Sequence, residues 1–181
     1  MSTEQVYDFE ESAVDEPEGM ATNIINEARK WVGIREVPSG SDRTPIGEWA
    51  EKYGGHNGVA WCGNSVSLWI YVGSGGKVIL CKGWKDAGVF SAGCDHVPSI
   101  YRWAAHEGIL VDKNDIPEPG FLVLADEMNK GHATHIGLVE SVDKTRVTTI
   151  EGNYSSKCCR LRRSLKDAKI TGYIDLSLLF V

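Results

Sequence analysis

Hydrophobic residues in the first half of the chain recur with the period of an α-helix. Ile24, Ala28, Trp31 and Val32 are spaced i, i+4, i+7 and i+8, which places them on one helical face. Similar spacing, with proline at helix starts and glycine after helix ends, predicts three more helices. The four predicted helices run from about Thr22 to Gly33, from Pro45 to Tyr53, from Cys62 to Tyr71 and from Pro98 to Gly108.

Short apolar runs bounded by turn residues predict strands in the second half of the chain. The five predicted strands span residues 121–125, 134–142, 146–151, 159–165 and 170–174, and Asp143-Lys144 is the predicted turn between the second and third. Helices followed by such strands indicate an α+β domain, with N-terminal helices packed on an antiparallel β-sheet. Residues 77–95 carry no clear pattern and are expected to form an inserted loop.

The net charge of -6 is carried by the start of the chain. Seven of the 25 acidic residues lie in the first twenty positions, which hold no Lys or Arg, leaving 18 acidic against 19 basic residues. Residues 1–20 are therefore expected to be an acidic disordered tail, and residues 21–181 a single domain. The near-neutral domain argues against nucleic-acid binding, and the chain has neither a membrane-spanning apolar run nor a secretory signal.

A glycine-rich segment leads into the third predicted helix, and Cys62 falls in its first turn. Unpaired backbone N–H groups and the helix dipole favour a negative charge at such a position, and the thiolate is the nucleophilic form of cysteine. Cys62 is therefore the candidate nucleophile. The alternative is a buried structural cysteine, because free Cys is among the most buried residue types.

His135 is the candidate base, since it begins an apolar strand in which a nearby glycine leaves room beside it. His56, His106 and His132 rank below it because they fall in loops or late in a helix. Glu151 and Asn153 end the next strand and are the candidates to orient the His135 ring.

The register of the hairpin decides whether Glu151 can meet His135. A two-residue loop at Asp143-Lys144 pairs His135 with Gly152 and turns Glu151 to the other face. A three-residue loop pairs His135 with Asn153 and leaves Glu151 diagonal on the same face, and a five-residue loop pairs it with Glu151 directly. The orienting role therefore requires an odd loop or a β-bulge. The alternative is that Glu151 is a solvated strand end.

Several motifs follow one another in the order of a known family. They are Gly33-Ile34-Arg35-Glu36, Trp61-Cys62-Gly63, the helix around Trp103, Pro119-Gly120, His135-Ile136-Gly137-Leu138-Val139 and Glu151-Gly152-Asn153. Over residues 21–175 the chain resembles the CHAP family of peptidoglycan amidases and endopeptidases, in the NlpC/P60, papain-like superfamily. The resemblance implies a papain-like fold and cleavage of an amide bond in the peptidoglycan stem peptide or crossbridge. It also implies that Cys62 attacks the carbonyl, that His135 is the base, that Glu151 orients it and that Asn153 assists.

The resemblance also implies an oxyanion site made by the Cys62 backbone N–H and a donor from the preceding loop, for which Asn57 is the candidate. Trp61 is the candidate to line a substrate groove. The chain departs from the family pattern at Phe121, where the family usually has Asp, and at Gly63, where Ala is more common. Some relatives bind calcium through acidic residues before the cysteine, but residues 53–60 contain none, so neither a metal nor a cofactor is expected.

Two other interpretations stay open. A zinc site at Cys94 and His96, or at Cys158-Cys159, lacks the spaced pairs typical of zinc ligands, and free thiols or a Cys81–Cys94 disulfide are favoured. A non-catalytic wall-binding module could use the same fold, with the basic residues of 157–169 binding anionic wall polymers. Those residues alternate with leucines, however, which is typical of a solvated sheet face.

The expected partner is bacterial peptidoglycan, without nucleic acid or membrane, and the chain is expected to be a monomer. A wall-cutting site without a signal peptide suits a phage endolysin, made in the host cytoplasm and acting on the cell wall. An injected antibacterial effector is the alternative. Muramoyl-alanine amidases and crossbridge endopeptidases share the same catalytic residues, so the sequence leaves the scissile bond open.

Overall fold

A computed structural model of the protein describes residues 17–180, in which four helices pack against a mainly antiparallel sheet. The helices are α1 Pro17–Trp31, α2 Pro45–Lys52, α3 Cys62–Gly73 and α4 Val97–Glu107. The strands are β1 Val89–Phe90, β2 Gly93–Cys94, β3 Leu110–Val111, β4 Leu122–Ala125, β5 His135–Val142, β6 Arg146–Tyr154, β7 Lys157–Ser164 and β8 Ile170–Ile174. A short 3₁₀ helix, Leu176–Leu179, follows. The predicted α+β class is confirmed.

The large sheet has six strands in the order β3-β8-β4-β5-β6-β7, and every neighbouring pair is antiparallel. Its inner face packs on the helices through apolar side chains that include Leu124, Leu138 and Ile150. A smaller cluster that includes Phe121 and Val139 covers part of the outer face. Alternate residues of each strand therefore belong to different environments.

Helix α3 lies at the centre of the core. Residues 62–70 are all buried, which is expected of a helix that is apolar on most sides. Two glycines allow its neighbours to approach: a Cβ on Gly73 would lie 2.5 Å from the α1 backbone at Ile24, and a Cβ on Gly152 would collide with Ser65. The C-terminal end of α3 is thus held against α1, and its N-terminal end against the sheet.

The start and the middle of the chain differ from the predicted elements. Helix α1 begins at Pro17, before the predicted helix start near Thr22, and Met20 is buried in the core. The domain boundary after residue 20 stays a prediction. The rest of the predicted tail, residues 1–16, lies outside the described residues. The segment 77–95 contains the β1–β2 hairpin, which docks on α3 through two hydrogen bonds between Cys94 and the Ser67 hydroxyl.

That docking also explains a departure from the family pattern. The backbone of Asp95 lies against the first turn of α3, where a Cβ on Gly63 would come within 2.5 Å of the Asp95 carbonyl oxygen. An alanine cannot be accommodated there without a backbone shift. No helix of the described part of the chain is long and apolar enough to cross a membrane.

Candidate active site

A β-bulge sets the register between β5 and β6. At the turn, the Asp143 N–H donates to the Arg146 carbonyl oxygen at 2.9 Å. The residues between this pair, Lys144 and Thr145, form an even, two-residue loop that lies one residue later than the predicted turn. The ladder runs Val142–Val147, Ser141–Thr148, Val139–Thr149 and Leu138–Ile150, so Glu140 is the one unpaired residue. Because the bulge adds one residue to β5, the residues of β6 that lie beyond it face the opposite side of the sheet from the one that the even loop alone would give them. The prediction that an odd loop or a bulge is present is confirmed.

If the register is continued by one pair beyond Leu138–Ile150, Glu151 lies opposite Gly137 and on the same face of the sheet as His135. The Glu151 Oε2 atom lies 2.8 Å from His135 Nε2, and both side chains are buried. Gly137 makes this contact possible, because a Cβ there would lie 2.6 Å from Glu151 Cγ. The glycine after His135 therefore provides space for the carboxylate.

Cys62 is the first residue of α3 and is 4% exposed. Trp61 occupies the N-cap position but its side chain does not cap the helix, so the first N–H groups face the site without a side-chain partner from residues 17–180. The Cys62 thiol is a close enough neighbour of the His135 ring to raise the pKa of that ring. The structure thus brings the predicted nucleophile, base and orienting carboxylate together.

The charges of these groups are coupled. Burial lowers the pKa of His135, but the hydrogen bonds to Cys62 and Glu151 outweigh it and raise that pKa to about 10. Burial raises the pKa of Glu151, but hydrogen bonds from His135 and Arg163 lower it to about 2. Around neutral pH the pair is therefore an imidazolium and a carboxylate.

Arg163 of β7 was missed by the sequence interpretation, which placed it on a solvated sheet face. Its side chain is 7% exposed, and its Nε and Nη2 atoms donate to the two Glu151 carboxylate oxygens at 2.9 Å each. The Thr149 hydroxyl donates to Glu151 Oε1 at 2.6 Å. The available signal was strand parity: Arg163 falls on the same face of the β6–β7 ladder as Glu151, whereas Arg162 falls on the other.

The remaining predicted residues are placed less directly. Trp61 is fully buried and its indole N–H donates to Glu36 at 2.9 Å, so its observed contacts are with the core. Its role in lining a substrate groove stays a prediction. Asn57 Oδ1 accepts from the backbone N–H groups of Thr44 and Gly58, at 3.3 and 3.0 Å, which ties its loop to the start of α2. Its role as an oxyanion donor stays a prediction.

Asn153 lies where the pairing of β6 with β7 is interrupted, and its φ of 57° is left-handed. Asparagine tolerates this conformation better than most residues. Its side chain makes no hydrogen bond with any residue of the range 17–180. An assisting role in catalysis therefore stays a prediction, and the observed role is to shape the strand end beside Glu151.

Other polar groups do not form a second centre of this kind. Within residues 17–180, no group of three or more His, Cys, Asp or Glu side chains could hold a metal ion. The five cysteines are free thiols, and the buried Cys94 thiol lies 3.8 and 3.6 Å from the carbonyl oxygens of Ala87 and His96.

A cavity of about 610 Å³ lies between α4 and the loop before β5, and neither Cys62, His135 nor Glu151 is among its lining residues. It is lined by Pro98, Tyr101 and Arg102 from the helix, and by Gly131, His132 and Ala133 from the loop, with Thr171. Ala133 is two residues from His135, and Pro98 is three residues from Asp95, which contacts the first turn of α3. A larger cavity of about 730 Å³, lined by residues that include Asn114 and Lys166, shares no lining residue with the site.

The chain matches no protein-family model and no curated protein. Among solved structures it is similar to that of Ly7917, with 18% sequence identity over 85% of this chain and 61% of that chain and a TM-score of 0.50. A structure of Ly7917 with the hydrolyzing product of MDP aligns at 17% identity, over 85% and 62% of the two chains, with a TM-score of 0.47. At such identity the likeness shows a shared fold, and the chain spans about three fifths of the length of Ly7917.

Proposed function

We propose that this chain is a cysteine hydrolase that cleaves an amide bond of bacterial peptidoglycan. The observation that carries the proposal is the chain of contacts from Cys62 to His135 to the buried Glu151. A nucleophile, a base and a group that orients the base are the parts needed for acyl transfer. A structural cysteine does not need a buried histidine–carboxylate pair beside it.

The geometry supports a two-step reaction. The Cys62 thiolate attacks the amide carbonyl, and the free N–H groups at the start of α3 stabilise the negative charge on the carbonyl oxygen. Protonated His135 gives its proton to the leaving amine as the carbon–nitrogen bond breaks, which leaves a thioester on Cys62. His135 then takes a proton from water, whose oxygen attacks the thioester. The carbon–sulfur bond breaks, the carboxylic acid product leaves, and the Cys62 thiolate and protonated His135 are restored.

Peptidoglycan is proposed as the substrate because the site residues stand in the motifs that resemble the CHAP family. The α+β arrangement of helices packed on an antiparallel sheet agrees with the architecture that this resemblance implies. The cavity between α4 and the loop that leads into β5 has room for several residues of a peptide, and Tyr101 offers an exposed aromatic surface there. We further propose that the catalytic domain begins at α1, and that the chain is a monomer that acts as a phage endolysin.

The test is digestion of isolated peptidoglycan from several wall chemotypes, followed by mass spectrometry of the new termini. The proposal predicts new amino groups together with new carboxyl groups in the peptide part. A new alanine amino terminus freed from muramic acid would identify an amidase, and any other new amine an endopeptidase. New reducing sugar ends without new amines would contradict amide cleavage, and an absence of new ends from every chemotype would contradict the substrate.

A further inference from the structure

We infer that Arg163 is a positioning residue that holds the charge of Glu151 when His135 is neutral, and so allows His135 to release its proton. This inference rests on the proposed function, because it concerns the state in which His135 has given its proton to the leaving amine. The hydrogen bonds of Arg163 go to Glu127, Glu151 and Asp167, and Arg163 does not line the cavity between α4 and the loop before β5. It acts on the reaction through Glu151.

Arg163 and Glu151 form a two-point ion pair. Arg163 meets both oxygens of the Glu151 carboxylate with two hydrogen bonds of 2.9 Å, and the carboxylate is 0% exposed. Planar two-point contacts of this kind fix orientation as well as charge. With the bonds from His135 and Thr149, the carboxylate has four hydrogen bonds and no contact with solvent.

The need for a second cation follows from the reaction cycle. His135 alternates between imidazolium and neutral imidazole, whereas a guanidinium stays charged throughout. Without Arg163, each loss of the His135 proton would leave a buried carboxylate with no opposite charge, which is costly. His135 would then hold its proton too tightly to serve as an acid toward the leaving amine.

Other acidic side chains hold the Arg163 guanidinium in place. Besides Glu151, Arg163 pairs with Glu127 at 2.6 Å and Asp167 at 3.4 Å, and Lys169 pairs with Glu127 at 2.8 Å. Cys159 lies opposite Glu151 in the ladder, with Lys157 near that thiol.

The Tyr154 ring lies 5.7 Å from the guanidinium carbon and 6.0 Å from the His135 ring centre. Among residues 17–180, Arg163 and His135 are the only cationic groups that donate a hydrogen bond to Glu151.

The direct test is an NMR titration of the labelled His135 ring in a Cys62→Ala background, where loss of the thiol lowers the His135 pKa into a convenient range. Arg163→Met should raise that pKa by about one unit or more, since a nearby charge typically shifts a pKa by 1–3 units. Arg163→Lys, which keeps the charge but loses one of the two bonds, should give a smaller rise. Glu127→Gln removes another partner of Arg163 and should leave the pKa close to that of the parent.

A merely structural role for Arg163 gives the opposite sign, because a loosened site admits water and moves His135 toward its ordinary pKa. An unchanged or lowered pKa in folded Arg163→Met therefore overturns the inference. If that variant does not fold, Arg163→Lys decides: a pKa above the parent value supports the inference, and a value at or below it overturns it. The titration needs no substrate, so it stands apart from a failure to cleave peptidoglycan.

With the Cys62 thiol present, Arg163→Met should also lower kcat by about 10–100-fold and move the alkaline limb of the pH profile to higher pH. Arg163→Lys should recover part of the lost activity. A fall in activity with the limb unmoved, or moved to lower pH, contradicts the inference.

Discussion

At the scale of single residues, the properties of His135 depend on two buried charged side chains, Glu151 and Arg163. Glu151 raises the pKa of His135 and is itself held by Arg163, so the proton affinity of the base results from two opposing neighbours. Gly137 gives the carboxylate its place. The chemistry of the thiol is therefore controlled from the face of the sheet that carries Glu151.

Glu151→Gln should lower kcat/KM on the order of 100-fold and move the alkaline limb of the pH profile to lower pH. The raised pKa of His135 is due partly to the Glu151 charge, so its removal makes the imidazolium lose its proton earlier. The measurement is the pH dependence of kcat/KM for wild type and variant. Glu140→Gln is the matched control, because Glu140 pairs with Arg29 and Arg160 but does not touch His135. A limb that stays in place would contradict the assigned role.

Three site residues were predictable because each lies at the end of a helix or strand, and the sequence pattern changes recognisably there. Cys62 follows a glycine-rich loop, His135 begins an apolar strand, and Glu151 ends the next one. The burial of Trp61 was not predictable, because an aromatic residue beside a nucleophile looks the same in sequence whether it faces the core or a groove. Arg163 was missed because its burial depends on a strand register that a run of basic residues does not reveal.

At the scale of elements, the position of Cys62 depends on how closely α3 approaches β6. Gly152 is the contact point, since a Cβ there would collide with the Ser65 hydroxyl and lie 3.1 Å from the Trp61 ring. Ser65 itself donates to the Trp61 carbonyl oxygen at 2.8 Å. The first turn of the catalytic helix and the strand that carries Glu151 are thus packed without spare room.

Gly152→Ala should destabilise the fold by about 1–3 kcal/mol, because overpacking a tight contact forces a backbone shift. Ser65→Gly removes the colliding atoms at the cost of about 1 kcal/mol for a helical glycine. The double variant should then be less destabilised than the sum of the two single changes. Urea unfolding of the four proteins measures this coupling. Strict additivity would show that the two positions are not in repulsive contact.

The longer elements were predicted to within a few residues, since each contains several periods of its pattern. The two-residue strands β1, β2 and β3 were not, because two residues carry no measurable alternation. The sequence could not locate the bulge at Glu140. It showed only that the proposed site requires a bulge or an odd loop. Which residue forms it depends on tertiary contacts, here the ion pairs of Glu140 with Arg29 and Arg160.

At the scale of the molecule, the buried charge network links the site to the stability of the fold. The pKa of Glu151 is lowered to about 2 in the folded protein from an ordinary value of 4.5. A lowered carboxyl pKa contributes stability that is fully present above the ordinary value and is lost as the pH falls toward the folded value. The contribution is on the order of 3 kcal/mol.

Wild type should therefore lose more stability than Glu151→Gln between about pH 4.5 and pH 2. The measurement is the free energy of unfolding in urea at several pH values across that window. Other carboxylates titrate there in both proteins, so the difference between the two curves isolates Glu151. Parallel curves would contradict a strongly lowered pKa for this group.

The central claim is that Cys62 is the nucleophile of a peptidoglycan hydrolase. The most direct measurement compares wild type, Cys62→Ala and Cys159→Ala in the clearing of isolated peptidoglycan, with the released termini identified by mass spectrometry. Cys159 is the control because it is a more accessible thiol on β7, opposite Glu151 in the ladder, and is not among the groups that shift the pKa of His135. The account predicts clearing by wild type and by Cys159→Ala, and none by folded Cys62→Ala. Equal clearing by wild type and Cys62→Ala would remove Cys62 from the mechanism and contradict the account.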